Sequence, residues 1–264
     1  MIDTHSHIYE PEFAEDRQEV VARAIEAGVS KILLPNINEQ SIPGMLKLCQ
    51  DYPGLCFPMI GLHPTDIEDD YLDVLSRMRT LLFQAEHPFI AVGEVGLDFY
   101  WDDSRKEQQK EAFEMQIEWA RDMQLPLVIH SRSAHKDLVD MMEHFRNDGL
   151  TGIFHCFGGS LEEAKELLSF EGFVLGIGGV LTYKKSALPE VLSQIPLQRI
   201  VLETDCPYLT PVPFRGKRNE SSYVKYVAQK VAEVYGLTVN EVDEMTTCNT
   251  YRIFTALNTH NQHE

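Results

Sequence analysis

Eight short apolar runs punctuate the chain: "MIDTHSH", "KILLPN", "CFPMIGLH", "FIAVGEVGL", "LPLVIH", "GIFHCF", "FVLGIGGV" and "RIVLET". Runs without clean polar alternation suit strands covered on both faces, as in a parallel sheet, whereas a strand with one wet face alternates. The stretches between them carry helix signals. In "SRKEQQKEAFEMQIEWARDM", Ser104 and Glu107 have capping-box spacing, and Phe113, Ile117, Ala120 and Met123 fall along one face. Ser160 with Glu163, and Thr238 with Glu241, repeat the start signal. Strand and helix alternating in this way over 264 residues predict a right-handed (β/α)8 (TIM) barrel, one domain spanning 1–264. A doubly wound open sheet is the competing arrangement, because periodicity does not say whether a sheet closes. From about Ser221 the pattern is helical only, which places those helices outside the barrel; residues 258–264, with His260 and His263, read as a loose tail.

Composition removes several classes of function. A formal net charge of −18 opposes a broad basic surface for wrapping duplex nucleic acid, since that mode neutralises many phosphates. Any anionic substrate must therefore be held locally, and the one dense basic cluster is Arg215, Lys217 and Arg218 in "PVPFRGKRNES". The five cysteines form no C-x-x-C pair, which argues against a disulfide framework and a zinc knuckle. No stretch is apolar enough for a membrane span and no basic-then-apolar leader opens the chain, so the expectation is a cytoplasmic protein without an obligate protein partner.

The polar residues closing the apolar runs carry the chemistry. His5 and His7 close the first, His63 the third, Glu94 the fourth, His130 the fifth and His155 the sixth, with Asp205 just after the eighth. On a strand, His5 and His7 point the same way, about 6.6 Å apart. In a barrel, strand C-termini meet at one face, where active sites sit. Imidazoles and carboxylates without a thiolate cluster suit zinc, manganese or magnesium in a catalytic rather than a structural site. Six ligand candidates exceed the needs of one catalytic ion, so two divalent cations are expected, bridged by a carboxylate such as Glu94 and by a hydroxide that serves as nucleophile. Two divalent ions against two carboxylates leave a surplus of about +2, which attracts a phosphodiester or stabilises the oxyanion of ester or amide hydrolysis.

These residues give the chain a family resemblance. "DTHSH" at 3–7, "GLHP" at 61–64, "GEVGLDF" at 93–99, "HSR" at 130–132, "HCFGGS" at 155–160, "LETDCPYL" at 202–209, "PFRGKRN" at 213–219 and "NT" at 249–250 resemble the TatD-type metal-dependent deoxyribonucleases of the amidohydrolase superfamily. The resemblance implies His5, His7, Glu94 and Asp205 as ligands of one ion and Glu94, His130 and His155 as ligands of the other. It implies His63 beside the phosphate or an ordered water, and Asp205 as proton acceptor for the attacking water. Glu203, Asp98 and Asn249 are expected outside the ligand set, the first two orienting histidines and Asn249 tying a helix end to the site. Arg132, Arg215, Lys217 and Arg218 match substrate-facing positions, where guanidinium grips phosphate. Ser133 stands where relatives commonly carry an acid and Ser221 where many carry proline, which touches substrate positioning and loop rigidity rather than the ligands. The glycines of "GIGGV" lack P-loop spacing and read as close packing.

The expected activity is a two-metal 3′-5′ exonuclease acting on single-stranded or frayed DNA ends. The alternative keeps the cations and changes the bond: an amidohydrolase, lactonase, phosphotriesterase or aminoacyl-tRNA esterase. Many such barrels bridge their metals with a carbamylated lysine on the fourth strand, where "IAVGEVGLD" offers Glu94 and no lysine. A non-catalytic barrel is the third reading, and an inactive descendant would be expected to have lost ligands.

Overall fold

Each of the eight apolar runs contributes a strand: β1 Ile2–Asp3, β2 Lys31–Leu34, β3 Cys56–Pro58, β4 Val92–Asp98, β5 Leu127–Arg132, β6 Gly152–Phe154, β7 Phe173–Ile177 and β8 Ile200–Leu202. The computed structural model describes residues 1–101 and 103–262. All ladders are parallel, β1-β2-β3 in one sheet and β4 through β8 in the other. Two seams join the sheets into a closed ring. Ile60 pairs with Val92 through bonds from Ile60 N to Ala91 O (3.1 Å) and Gly93 N to Ile60 O (2.9 Å). Ser6 pairs with Cys206, flanked by Thr4 N to Leu202 O (3.0 Å) and Asp205 N to His5 O (2.9 Å). The sheet is therefore a barrel rather than an open doubly wound sheet, and among the described residues no strand edge is left to pair with another chain.

Strand parity divides the core in two. Ile2, Leu33, Phe57, Met59, Val128, Ile153, Val174 and Val201 fill the barrel lumen. Their strand neighbours, such as Ile32, Leu34, Leu127, Ile129, Leu175 and Ile200, pack outward against helices. The helices are α1 Arg17–Glu26, α2 Ile42–Asp51, α3 Tyr71–Leu82, α4 Lys106–Met123, α5 His135–His144, α6 Leu161–Leu167, α7 Leu188–Leu192, α8 Val224–Tyr235 and α9 Val239–Ile253. The capping boxes read at Ser160/Glu163 and Thr238/Glu241 open α6 and α9. Helix α4 starts with Arg105 at its N-cap, one residue beyond the start read at Ser104.

The C-terminal helices do more than cover the outside. Ile253, at the end of α9, and the following Phe254 and Leu257 join the lumen cluster, corking the barrel beneath the strands' N-termini. The chain then runs in a 3-10 helix over Thr255–Gln262, so the stretch read as a loose tail begins helically; His263 and Glu264 lie outside the described residues. With the lower end plugged by apolar side chains, polar groups are left to the opposite mouth.

Candidate metal centre

Glu94 reaches the mouth through an irregularity in β4. Gly93 pairs with Val128 and Val95 with Ile129, so Glu94 is an extra residue in a β-bulge. Val92 packs outward, and strict alternation would send Glu94 outward with it; the bulge turns its carboxylate inward instead. At the β8 end, Asp205 adopts a left-handed backbone (φ 56°), a bend that ends the strand. The hydrogen bonds from Asp205 N to His5 O and from His7 N to Cys206 O (2.9 Å each) hold the β1 and β8 ends in register. Regular strand geometry in β1 stops at Asp3, short of the histidines, yet those backbone bonds carry the chain on beside β8.

The side chains around Glu94 fall into two groups. Glu94 Oε2 lies 3.1 Å from His5 Nε2 and 3.5 Å from His7 Nε2, and Asp205 Oδ1 lies 3.8 and 3.7 Å from the same two nitrogens. Glu94 Oε1 lies 2.9 Å from His130 Nδ1, 3.4 Å from His155 Nε2 and 3.3 Å from His63 Nε2. A partner on the far side of a ring fixes its tautomer; His5 Nδ1 is buried with none among the described residues. The Tyr9 hydroxyl donates to Pro35 O (2.5 Å) and so accepts from His7 Nδ1 (3.0 Å), leaving Nε2 as a lone pair. His130 Nε2 faces Asp98 Oδ2 at 2.9 Å, which leaves Nδ1 bare. His155 Nδ1 lies 3.2 Å from Glu203 Oε1, close enough for ion pairing though not aligned for a hydrogen bond, and the same oxygen accepts the Cys156 backbone N–H at 2.6 Å. His63 differs: its Nδ1 accepts the Thr65 backbone N–H (3.2 Å), so its Nε2 carries the proton and donates.

The His7 Nε2 and His130 Nδ1 lone pairs thus face carboxylate oxygens, and His5 Nε2 stands only 3.1 Å from both His7 Nε2 and Glu94 Oε2. Acceptors at such distances repel unless a proton or a cation lies between them. Imidazole and carboxylate donors of this kind fit divalent cations, and the group His5, His7, Asp205 brings its ligand atoms within 4.8 Å of one another. In the cation-free protein, protons take that place. Burial works against the His155 cation, but Glu203, Glu94 and Asp205 outweigh it and raise its pKa to about 9. Burial likewise opposes charge on His7 and His130, yet Tyr9, Asp205 and Glu94 raise the first, and Asp98 and Glu94 the second. His5 is the exception, its pKa lowered by burial and by neighbouring His155. Burial also disfavours charge on Glu94 and Asp205, but the surrounding histidines hold both carboxyls below their ordinary range. Burial pushes the Cys156 thiol well up, with Asp205 and Glu203 adding to it, so it stays protonated rather than serving as a nucleophile.

The cluster forms the floor of a cavity of about 720 Å³. Its walls include Ile37, Thr65, Trp101, Arg132, Tyr208 and Leu209, with no lysine among the described lining residues.

Comparison with known proteins accords with this chemistry. A family model described as TatD related DNase matches residues 2–255. The chain belongs to that family. The uncharacterized metal-dependent hydrolase YabD of Bacillus subtilis (strain 168) is 40% identical over 255 residues, 96% of this chain and 98% of its own. The protein named 3'-5' ssDNA/RNA exonuclease TatD of Erwinia tasmaniensis is 33% identical over 261 residues, 96% of this chain and 99% of its own. The crystal structure of YjjV, a TatD homolog from Escherichia coli K12, superposes with a TM-score of 0.90 at 30% identity, covering 97% of this chain and 98% of that one. The chain is thus a metal-dependent hydrolase of the TatD family with a TIM-barrel fold.

Against that TatD frame, the residues singled out in the sequence divide clearly. His5, His7, His63, Glu94, Asp98, His130, His155, Glu203 and Asp205 all converge, and Arg132 lines the same cavity. The basic loop does not converge with them. Arg218 donates to Asp16 Oδ2 (2.5 Å) and Glu12 O (2.6 Å), and with Lys217 it lines a separate depression beside Arg23 and Phe214. Arg215 lies over Tyr183 (3.9 Å to the ring centroid) and is absent from the cavity wall. Asn249 is also remote: its amide donates to Leu197 O (2.9 Å) and Ile200 O (2.8 Å), fastening α9 to the opposite end of β8 from Asp205. The glycine run does serve packing, since a Cβ on Gly176 would meet Glu203 Oε2 at 2.2 Å. Ser221 is buried with its hydroxyl 2.9 Å from that of Ser6.

Sequence reading passed over several supports. Tyr9 sets the His7 tautomer, and its i+2 spacing from His7 was a same-face signal. Gln109 and Gln116, seven apart on the buried face of α4, act as amide clamps. Gln116 accepts from Leu62 N (2.7 Å) and donates to Leu62 O (3.2 Å), while Gln109 does the same for Asp98 (2.8 and 3.0 Å). Each holds the backbone at or beside a polar residue of the mouth, Asp98 itself and His63 after Leu62.

Proposed function

We propose that the chain is a two-cation phosphodiesterase that removes nucleotides from the 3′ ends of single-stranded DNA. The observation that carries the reading is the set of converging lone pairs around Glu94, whose two carboxylate oxygens serve separate groups of histidines. His5, His7 and Asp205 would hold one divalent ion with Glu94, and His130 and His155 the other. When bound, zinc, manganese or magnesium at these positions supplies Lewis acidity toward the phosphodiester and lowers the pKa of water.

The chain's own groups do the remainder. His63 donates from Nε2 into the cavity and steadies a phosphoryl oxygen. Asp205, held ionised by its histidine neighbours, accepts the proton of the attacking water. Arg132 presents guanidinium N–H groups to a phosphate from the wall. Asp98 keeps His130 in the tautomer that leaves its lone pair inward, and Glu203 sets its carboxylate beside His155 Nδ1. The absence of a lining lysine disfavours a carbamate bridge, and the name of the Erwinia relative supports a nucleic-acid substrate. No helix among the described residues is long and apolar enough to cross a membrane. The five unpaired cysteines favour a reducing compartment such as the cytoplasm.

The test uses a 5′-labelled single strand with protein stripped by chelator and reloaded singly with each of the three metals. A ladder shortening from the 3′ end, lost in Glu94→Gln together with bound metal, is the expected result. Absence of cleavage with all three metals would overturn the proposal.

A further inference from the structure

We propose that Trp101 and Tyr208 form a nucleobase-stacking site above the acceptor cluster, so that bases near the scissile end of an unpaired strand contribute much of the binding energy. This inference rests on the phosphodiesterase reading. Trp101 is 69% exposed and Tyr208 52%, although both line the cavity. Trp101 follows β4 and Tyr208 follows β8, four places apart in a ring of eight strands, so they rise from facing sides of the mouth. The Tyr208 ring lies 6.4 Å from that of His7.

The Trp101 wall is held to the floor by a shared carboxylate. Asp98 Oδ2 contacts His130 at 2.9 Å, while its Oδ1 accepts from Tyr100 N (3.0 Å) and Trp101 N (3.3 Å). Tyr100 packs edge-on against Trp101 at 5.0 Å, and the Arg132 guanidinium lies 3.8 Å over Tyr100 and 5.2 Å from the Trp101 ring. Among the described residues no carboxylate pairs with Arg132, so its N–H groups remain available to a phosphate next to the stacked base. Every base has a π face, so such walls accept unpaired ends with little sequence preference, whereas a base inside a duplex is already stacked. A chain of net charge −18 gains little from backbone phosphates away from the mouth, which leaves stacking to supply affinity.

The chain has two tryptophans, and Trp119 is buried at 3% exposure. Titrating the protein with short oligothymidylate in EDTA should therefore quench the Trp101 emission saturably. The Trp101→Ala protein should show no quench and should bind a 5′-labelled strand roughly tenfold more weakly by anisotropy, while Trp101→Phe recovers most of the affinity. An abasic 3′ terminus should weaken wild type similarly and Trp101→Ala little further. Unaltered affinity in Trp101→Ala, or abasic and alanine losses that simply add, would overturn the stacking site while leaving the nuclease intact. Quenching by a strand that no metal allows the protein to cut would retain the stacking site and overturn the catalytic reading.

Discussion

Replacing Asp98 by asparagine asks how much of the centre depends on ring orientation. Asp98 spends one oxygen on His130 and the other on two backbone N–H groups of the Tyr100–Trp101 turn. Asparagine has a single acceptor oxygen, so it cannot serve both. If the oxygen stays with the turn, the amide N–H2 meets the His130 Nε2–H, and the ring must move its proton to Nδ1, the atom facing Glu94 Oε1 at 2.9 Å. The lone pair offered to a cation is then gone. If the oxygen stays with His130, the turn loses two bonds and the charge assistance disappears in any case. A hydrogen bond to a charged group contributes about 1.5–3 kcal/mol, which at about 1.4 kcal/mol per tenfold corresponds to roughly 10–100-fold in metal affinity, the range found for such outer partners. Competition against a chromophoric chelator measures the affinity, and initial rates on a labelled strand at saturating metal measure what remains of turnover. Affinity and turnover both within about twofold of wild type would show that Asp98 does not set the His130 tautomer.

Three further outcomes follow from the same geometry. Because His155 in the folded, cation-free protein holds its proton up to about pH 9, metal loading at pH 7 should release protons and affinity should rise with pH until about 9, read by calorimetry in buffers of different ionisation enthalpy; flat affinity from pH 6 to 9 refutes this. The stability sign agrees: the raised pKa stabilises the cation-free fold fully below the ordinary 6.5, and the contribution is lost as pH rises through about 9. His63→Gln should keep the metal content of wild type by elemental analysis and lower kcat by about 100-fold, since His63 Nε2 is a donor rather than a ligand; loss of one equivalent of metal would contradict that assignment. Gly176→Ala should cost about 1–3 kcal/mol in urea unfolding, because its methyl would lie 2.2 Å from the buried Glu203 carboxylate, and a variant of unchanged stability would mean that Glu203 can move aside.

The barrel was readable because hydrophobic patterning is a local property: eight apolar runs became eight strands, and two of three capping boxes opened helices where they were read. Closure was not readable, since it depends on backbone bonds from Ile60 to Ala91 and from Thr4 to Leu202, between segments whose side chains carry no mark of it. The lumen plug was missed for a related reason. Phe254 and Leu257 look like the end of any amphipathic helix, and only the chain's return beneath the barrel gives them a lumen to fill. Arg218 and Asn249 were misplaced because a cationic or amide side chain is equally suited to a ligand and to a nearby backbone carbonyl. Arg218 found Glu12 O and Asp16, and Asn249 found the residues before and at the start of β8.

For the polar centre, residue types were legible and their electronic state was not. Strand parity alone would have turned Glu94 toward the helices with Val92; the bulge that reverses it becomes visible only in the register against β5. Six histidine and carboxylate side chains at one mouth could in principle neutralise one another through shared protons. What distinguishes this cluster is the set of partners behind it: Tyr9 and Asp98 each take up one imidazole N–H and aim the lone pair inward, Glu203 sets a carboxylate oxygen 3.2 Å from His155 Nδ1, and Thr65 donates its backbone N–H to His63. Two histidines become acceptors and one a donor. Tautomers set in opposite senses suit the proposed binding of cations beside a phosphoryl oxygen, which calls for inward acceptors and a donor together.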